Sequence, residues 1–226
     1  MLRGGQQFIP RPGEWRLGAA APWAASSVEV RSVEQVLAPL VGTPSRQVAP
    51  PFPEARHSAV LVVLHDGPDG PEALFTKRSM RLRHHRGEIS FPGGRMEPGE
   101  TPAQAALREA WEEVALEPDH VTVRAELDHL STVVSQSYIV PVVATVDARP
   151  ELRAHEAEVD EILWVPLGEL VHPAAFREER WGTPPLDRPV YFFEIANETI
   201  WGATARMLHQ LLSGAYGAGS TARLRP

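Results

Sequence analysis

The sequence predicts an α/β layered fold with a mixed sheet. Two observations predict it: several apolar runs of strand length bounded by turn residues, and two longer segments with helical periodicity and recognisable ends. Residues 1–28 hold Gly, Pro, Arg and Ala without periodicity, and are expected to form a loose arm. Residues 32–37 predict a short helix, which Pro39 stops. The Pro-rich "TPSRQVAPPFP" at 43–53 reads as a linker wrapped on the domain. "SAVLVVLHDGPDGPEALFTKR" then reads as strand, turn, strand, and "FPGGRMEPGE" as a long turn-rich loop. "TPAQAALREAWEEVAL" opens a helix, with Thr101 as N-cap, Pro102 at the first helical position and Gln104 completing a capping box. "SYIVPVVATV", "EVDEILWV" and "PVYFFEIA" are strands by the same reading. "GATARMLHQLLSG" is a closing helix, and "AYGAGSTARLRP" a frayed end. The boundaries are therefore an arm at 1–28, one domain at 29–216 and a flexible tail at 217–226. There is no internal repeat.

Composition narrows the classes. A chain of 226 residues, 43% apolar, is one globular domain able to bury a core. A net charge of −7, from 22 basic and 29 acidic residues, argues against a general nucleic-acid binder. The absence of cysteine excludes disulfides, thiolate catalysis and Cys-ligated zinc, and fits a reducing compartment. No apolar run approaches the ~18 residues of a membrane span. "LGAAAPWAA" at 17–25 is broken by proline and is not read as a secretion signal. The expected address is the cytoplasm, with a homodimer compatible with these bounds.

The most informative stretch is "REAWEEVAL" at 108–116. Glu109, Glu112 and Glu113 stand at i, i+3 and i+4, so a helix sets three like charges on one face. They also lie towards the C-terminal end, where the helix dipole has the wrong sign for acids. Arg108 is the only base within residues 101–117. Ala103, Ala106, Leu107, Ala110, Trp111 and Val114 follow the three-four rhythm of a buried stripe, and the glutamates lie off it. Two readings fit that spacing. One is a solvated acidic face; the other is a hard-cation site, where Mg²⁺ or Mn²⁺ would cancel the repulsion.

The preceding loop favours the cation. From Gly94, five residues lead to Glu100 and seven more to Arg108-Glu109, and Glu112-Glu113 follow. This spacing, over residues 94–116, resembles the box of the Nudix hydrolases, departing only at Ala110 and at Ala115, where glycine is usual. The resemblance implies an αβα sandwich and metal-dependent cleavage of a diphosphate linked to another group. It implies that Glu109, Glu112, Glu113 and the Gly93 carbonyl hold Mg²⁺ or Mn²⁺. Arg108 would orient a glutamate, and Glu100 would brace the loop or reach an outer metal. Glu109, Arg108 and Glu113 are thus the expected catalytic set. Glu109 is the first choice for the base that orients water, with Glu158 or Glu161 behind it.

Just upstream, "LFTKRSMRLRHHRGEISFPGG" at 74–94 is similar to the signature of the coenzyme A branch, matching at Leu74, Thr76, Arg78, Ser79, Arg83, Gly87 and Phe91-Pro92-Gly93-Gly94. Phe75 stands where that signature has Leu. "VVSQSYIVPVVA" and "IWGATARML" are similar as well, and extend the likeness over about residues 55–213. The expected substrate contacts are Thr76, Arg78, Arg83 and His85. Arginine forks suit phosphate oxygens, and coenzyme A carries a 3′-phosphate besides its diphosphate. For Lys77, Arg81 and Arg86 a solvated loop is the better reading, and Glu88 is balanced between an outer metal ligand and a strand-edge charge. The resemblance implies a coenzyme A diphosphatase acting on a small molecule. The alternatives are hydrolysis of ADP-ribose, a dinucleotide or a nucleoside triphosphate, and, third, a module that binds a nucleotide without turnover.

Overall fold

The computed structural model describes residues 4, 5, 7, 9–50, 52–132 and 136–217. In chain order its elements are β1 (Trp15–Leu17), α1 (Val33–Leu37), β2 (Arg56–Gly67), β3 (Gly70–Arg78), β4 (Ile89–Ser90), β5 (Gly93–Arg95) and α2 (Pro102–Val114). They continue with a 3-10 turn (Pro118–His120), β6 (Thr122–Glu126), β7 (Leu130–Thr132), β8 (Ser137–Thr145) and β9 (Val159–Pro166). The chain closes with α3 (Leu167–Leu170), β10 (Phe176–Trp181), β11 (Arg188–Ile195), β12 (Glu198–Trp201) and α4 (Gly202–Tyr216). No helix among the described residues is long and apolar enough to cross a membrane.

The main sheet is mixed, as predicted. Its path is β4-β3-β2-β8-β6, with β5 on β2, β7 on β8 and β9 on β3; β2 and β8 run parallel and the other pairs antiparallel. Strands β2 and β3 pair only at the hairpin end, where Leu64 faces Ala73 and Gly67 faces Gly70. Beyond that point they splay. The segment 89–95 threads between them, with β4 on Thr76 and Lys77 of β3 and β5 on Ser58, Ala59 and Val60 of β2. This split makes the cleft that the site occupies.

Because side chains alternate along a strand, β2 feeds two separate cores. Ala59, Leu61 and Val63 pack with Ala105, Ala106, Ala110 and Val114 of α2. Val62 and Leu64 pack on the opposite face with Leu208, Leu211 and Leu212 of α4 and with α1. Helices on both faces of a mixed sheet give the expected αβα sandwich.

Several elements depart from the sequence reading. The described residues of the 1–28 arm pack on the domain. The arm's β1 joins β10, β11 and β12 in a second, antiparallel sheet. Arg11 forms two hydrogen bonds, at 2.8 and 2.6 Å, to the fully buried carboxylate of Glu179. Trp23 lies in the core, edge-on to Phe176 at 5.2 Å and stacked on Phe193 at 6.1 Å. A three-residue edge strand with both faces exposed has no alternation to betray it, so its partner β10 decides it. Part of the "FPGGRMEPGE" loop is β5, and Ala215 and Tyr216 of the supposed frayed end are buried in the last turn of α4. Residues 218–226 lie outside the described residues.

The predicted caps are present. Thr101 accepts from the Gln104 amide and Gln104 returns the bond to the Thr101 N–H. Ala115 takes the left-handed cap itself, at φ 56° and ψ 33°, so the missing glycine changes the cost of that turn and not its shape.

Candidate active site

Helix α2 lies against β5 and β2, and its small residues let it come close. Two glycines set the fit. A side chain on Gly93 would run into the Ala59 carbonyl and the Val60 Cα of β2. One on Gly94 would overlap the Glu109 carboxylate. The double glycine therefore makes room for backbone on one side and for a carboxylate on the other.

The helix sits rotated from the stripe that spacing predicted. Trp111 is 50% exposed, while Glu113 is 3% exposed and faces β5. Glu113 accepts the Gly93 N–H there, and the glutamates are thus not all off the buried face. Arg108 orders this acidic face. Its Nε and Nη2 donate to Glu100 at 2.8 and 3.1 Å, its Nη1 to Glu109 at 3.0 Å and Glu112 at 3.2 Å, and its Nη2 also to the Arg95 carbonyl at 3.0 Å. The expected orienting role of Arg108 and bracing role of Glu100 have this geometry.

Glu113 is the electrostatically strained member. It accepts the Gly93 N–H at 3.2 Å, and Arg78 Nη1 stands 3.7 Å away. Burial outweighs both, and with Glu109 and Glu158 adding negative charge the carboxyl is pushed up to about 7. Burial likewise raises Glu109 against the pull of Arg108. Among the described residues no three acidic or histidine side chains converge closely enough to hold a cation as they stand, since Arg108 draws Glu109 and Glu112 to itself. The donors are nonetheless all oxygen, and the buried Glu113 is short of positive charge. That chemistry fits a hard divalent cation.

A pH dependence of stability follows. Glu113 is raised in the folded state, so between about pH 4.5 and 7 the folded chain binds more protons than the unfolded one, and stability falls as pH rises. In chelator, thermal denaturation should show this fall, and adding Mg²⁺ at pH 7.5 should reverse it. A flat profile through that window would remove the strain argument.

The upstream residues separate into distinct roles. Thr76 is 1% exposed and its hydroxyl meets the Ser90 carbonyl at 3.3 Å. It ties β3 to β4 and is almost wholly covered there. The loop 79–87 is pinched at its base, where the Arg78 N–H donates to the Glu88 carbonyl and the Gly87 N–H to the Arg78 carbonyl, both at 2.9 Å. Arg83 and Arg86 are exposed on it and form no ion pair among the described residues. His85 takes a left-handed turn at φ 55° and pairs with Glu88 at 2.9 Å, which raises its pKa. Glu88 is thereby engaged by a histidine. Arg78 is half-buried, and its Nε has no hydrogen-bond partner.

The acidic stretch 155–165 closes the other side. The Ser79 N–H donates to the Glu158 carbonyl at 2.8 Å, the Met80 N–H to Asp160 at 2.9 Å, and Arg81 to the Glu156 carbonyl. Glu158 is near enough to raise both Glu109 and Glu113, whereas Glu161 lies on β9 opposite Lys77. Sequence reasoning missed that Lys77 is taken by Glu198 of β12, for which no local signal exists. Val133, Val134 and Ser135 of "VVSQSYIVPVVA" lie outside the described residues.

Comparison with known proteins shows the family. The NUDIX domain model matches residues 55–185. The chain is 36% identical over 167 residues to the Nudix hydrolase NudL of Pectobacterium atrosepticum, covering 71% of this chain and 83% of that protein. It is 33% identical over 170 residues to Nudix hydrolase 3 of Caenorhabditis elegans, covering 68% and 70%. A crystal structure of the Nudix hydrolase RenU from M. smegmatis aligns with a TM-score of 0.45 at 25% identity, over 52% of this chain and 74% of that one. The protein is a hydrolase acting on phosphorus anhydrides. It belongs to the Nudix family, whose members generally use divalent metals such as Mg²⁺ or Mn²⁺ and act on small molecules.

Proposed function

We propose that the protein hydrolyses the diphosphate of coenzyme A, or of a coenzyme A derivative, to 3′,5′-ADP and 4′-phosphopantetheine or its acyl form. The observation that carries this reading is the basic loop 79–87, pinned at its base and to Glu158, with Arg83 and Arg86 forming no ion pair among the described residues. A substrate with one phosphate beyond its diphosphate is what such a loop can recognise, and the residues fall on the coenzyme A signature. Arg83 meets the additional phosphate, and Arg78, facing Glu113 from β3, stands nearer the diphosphate.

Glu109, Glu112, Glu113 and the Gly93 carbonyl are the residues that would hold Mg²⁺ or Mn²⁺, which when bound offsets charge on the leaving phosphate and acidifies water. The protein's own groups do the rest. Arg108 fixes the Glu109 carboxylate, and burial raises its pKa and so its basicity. Glu109 takes a proton from the attacking water as the new P–O bond forms and the bridging P–O bond breaks. Glu158, whose charge reaches both Glu109 and Glu113, is the second choice of acceptor.

The test is a substrate panel with product identification, in Mg²⁺ or Mn²⁺. Coenzyme A or an acyl derivative should give the highest kcat/KM, with dephospho-coenzyme A poorer. A tenfold preference for ADP-ribose, a dinucleotide or a nucleoside triphosphate would replace coenzyme A as the substrate class. No turnover of any diphosphate would leave only a binding role.

A further inference from the structure

A second polar cavity lies on the face of the main sheet opposite α2. Its volume is about 180 Å³, and it is lined from four separate stretches: Arg46, the 128–130 turn, Tyr191 of β11, and Arg206 to Gln210 on α4. Since α2 packs on Leu61 and Val63 and α4 on Val62 and Leu64, this cavity and the acidic helix are on opposite sides of the sheet. Nothing in the proposed reaction uses it.

Its lining holds two arginines and two imidazoles against one carboxylate, Asp128. Arg206 is exposed and forms no ion pair among the described residues, so its guanidinium is available to a ligand. Arg46 has only a long contact with Asp128, at 3.6 Å. Gln210 fixes its carbonyl oxygen on the Asp128 N–H at 3.1 Å, which leaves its NH₂ to donate elsewhere. The His209 ring lies flat on Tyr191, centroids 4.0 Å apart and planes 2° from parallel. Neither the Tyr191 hydroxyl nor a His209 ring nitrogen has a hydrogen bond among the described residues, although the imidazole is largely buried. Burial, then Arg206, brings His209 down to about 4, so the ring is neutral and supplies one N–H. His129, in the same wall, spends both nitrogens on Tyr138 and Glu126, at 2.7 and 3.0 Å.

His209 and the Tyr191 hydroxyl, half-buried and without a hydrogen bond among the described residues, stand beside the exposed Arg206 guanidinium, and an anion can accept from all three. We infer that this cavity is a second ligand site, which takes a phosphate oxyanion between Arg206, Arg46, His209 and the Tyr191 hydroxyl. The anion satisfies the unpartnered donors of α4 and β11 and ties the linker at Arg46 to the closing helix. Free inorganic phosphate and a small phosphomonoester share the required chemistry.

The test uses the whole protein in chelator, where no divalent ion can draw phosphate to the acidic helix. Inorganic phosphate and, separately, glycerol 3-phosphate are titrated at constant ionic strength, with chloride as control. The His209 ring proton is followed by NMR. A saturable shift absent from chloride is expected, at least about tenfold weaker in Arg206→Gln and in Arg46→Gln, and within twofold of wild type in Arg83→Gln. Arg206 has no ion pair to lose, so that variant should fold with an unchanged Tm. Whichever anion binds more tightly identifies the source. A shift equal to that of chloride, one unaffected in Arg206→Gln and Arg46→Gln, or one abolished by Arg83→Gln would overturn the site.

Discussion

Glu113→Gln is expected to lower kcat by two orders of magnitude or more, roughly 3 kcal/mol of barrier. The same change should leave the fold intact. Gln fills the volume of Glu, and its carbonyl oxygen can still accept the Gly93 N–H that holds Glu113 at 3.2 Å. It also removes a buried charge whose pKa is pushed up to about 7. In chelator at pH 8 the variant should therefore melt no lower than wild type, since the charge it lacks is a liability without a cation. That combination separates a catalytic carboxylate from a structural one. Glu112→Gln, at a side chain 49% exposed, should also act on kcat, with little effect on stability. Chelator should abolish wild-type turnover, and either Mg²⁺ or Mn²⁺ should restore it. Full activity in chelator, or a Glu113→Gln enzyme within threefold of wild type, would end this assignment.

Arg83→Ala should raise KM for coenzyme A by roughly ten- to hundredfold while kcat changes less. A hydrogen bond to a charged group is worth about 1.5–3 kcal/mol, and a contact made equally before and during reaction appears in KM. The structure makes Arg83 the clean probe, because it is exposed and has no ion pair among the described residues to lose. Added salt should weaken binding in wild type more than in this variant, since screening acts on the contact it lacks. Arg78→Ala is a different experiment. Arg78 stands 3.7 Å from Glu113 and lowers its pKa, so its loss should raise that pKa and weaken metal affinity besides affecting substrate. KM unchanged in Arg83→Ala at saturating Mg²⁺ would remove the recognition role of the loop.

What could be read from the chain follows from the range of the forces involved. Caps, helical and strand periodicity and the spacing of charges on one helix are local, so the Thr101–Gln104 box, the mixed sheet and the glutamate face of α2 were all legible in sequence. Gly93 and Gly94 were legible as a need for close approach, but not what approaches them, which is β2 on one side and Glu109 on the other.

Other features rest on partners distant in sequence. β1 exists because β10 supplies its hydrogen bonds, and Arg11 reaches the buried carboxylate of Glu179, 168 residues away, where Arg177 and Trp181 also donate. Thr76 fits a recognition pattern, yet β4 covers it. Trp111 and Glu113 exchange the places that periodicity gave them, because the Gly93 N–H of β5 receives the Glu113 carboxylate while Trp111 meets no element that covers it among the described residues. The sequence by itself determined the chemical groups, their order and the helix that carries the acids. Only the tertiary structure decided which of those acids is buried and which arginines stay unpaired, because desolvation and long-range pairing depend on the neighbours that folding brings.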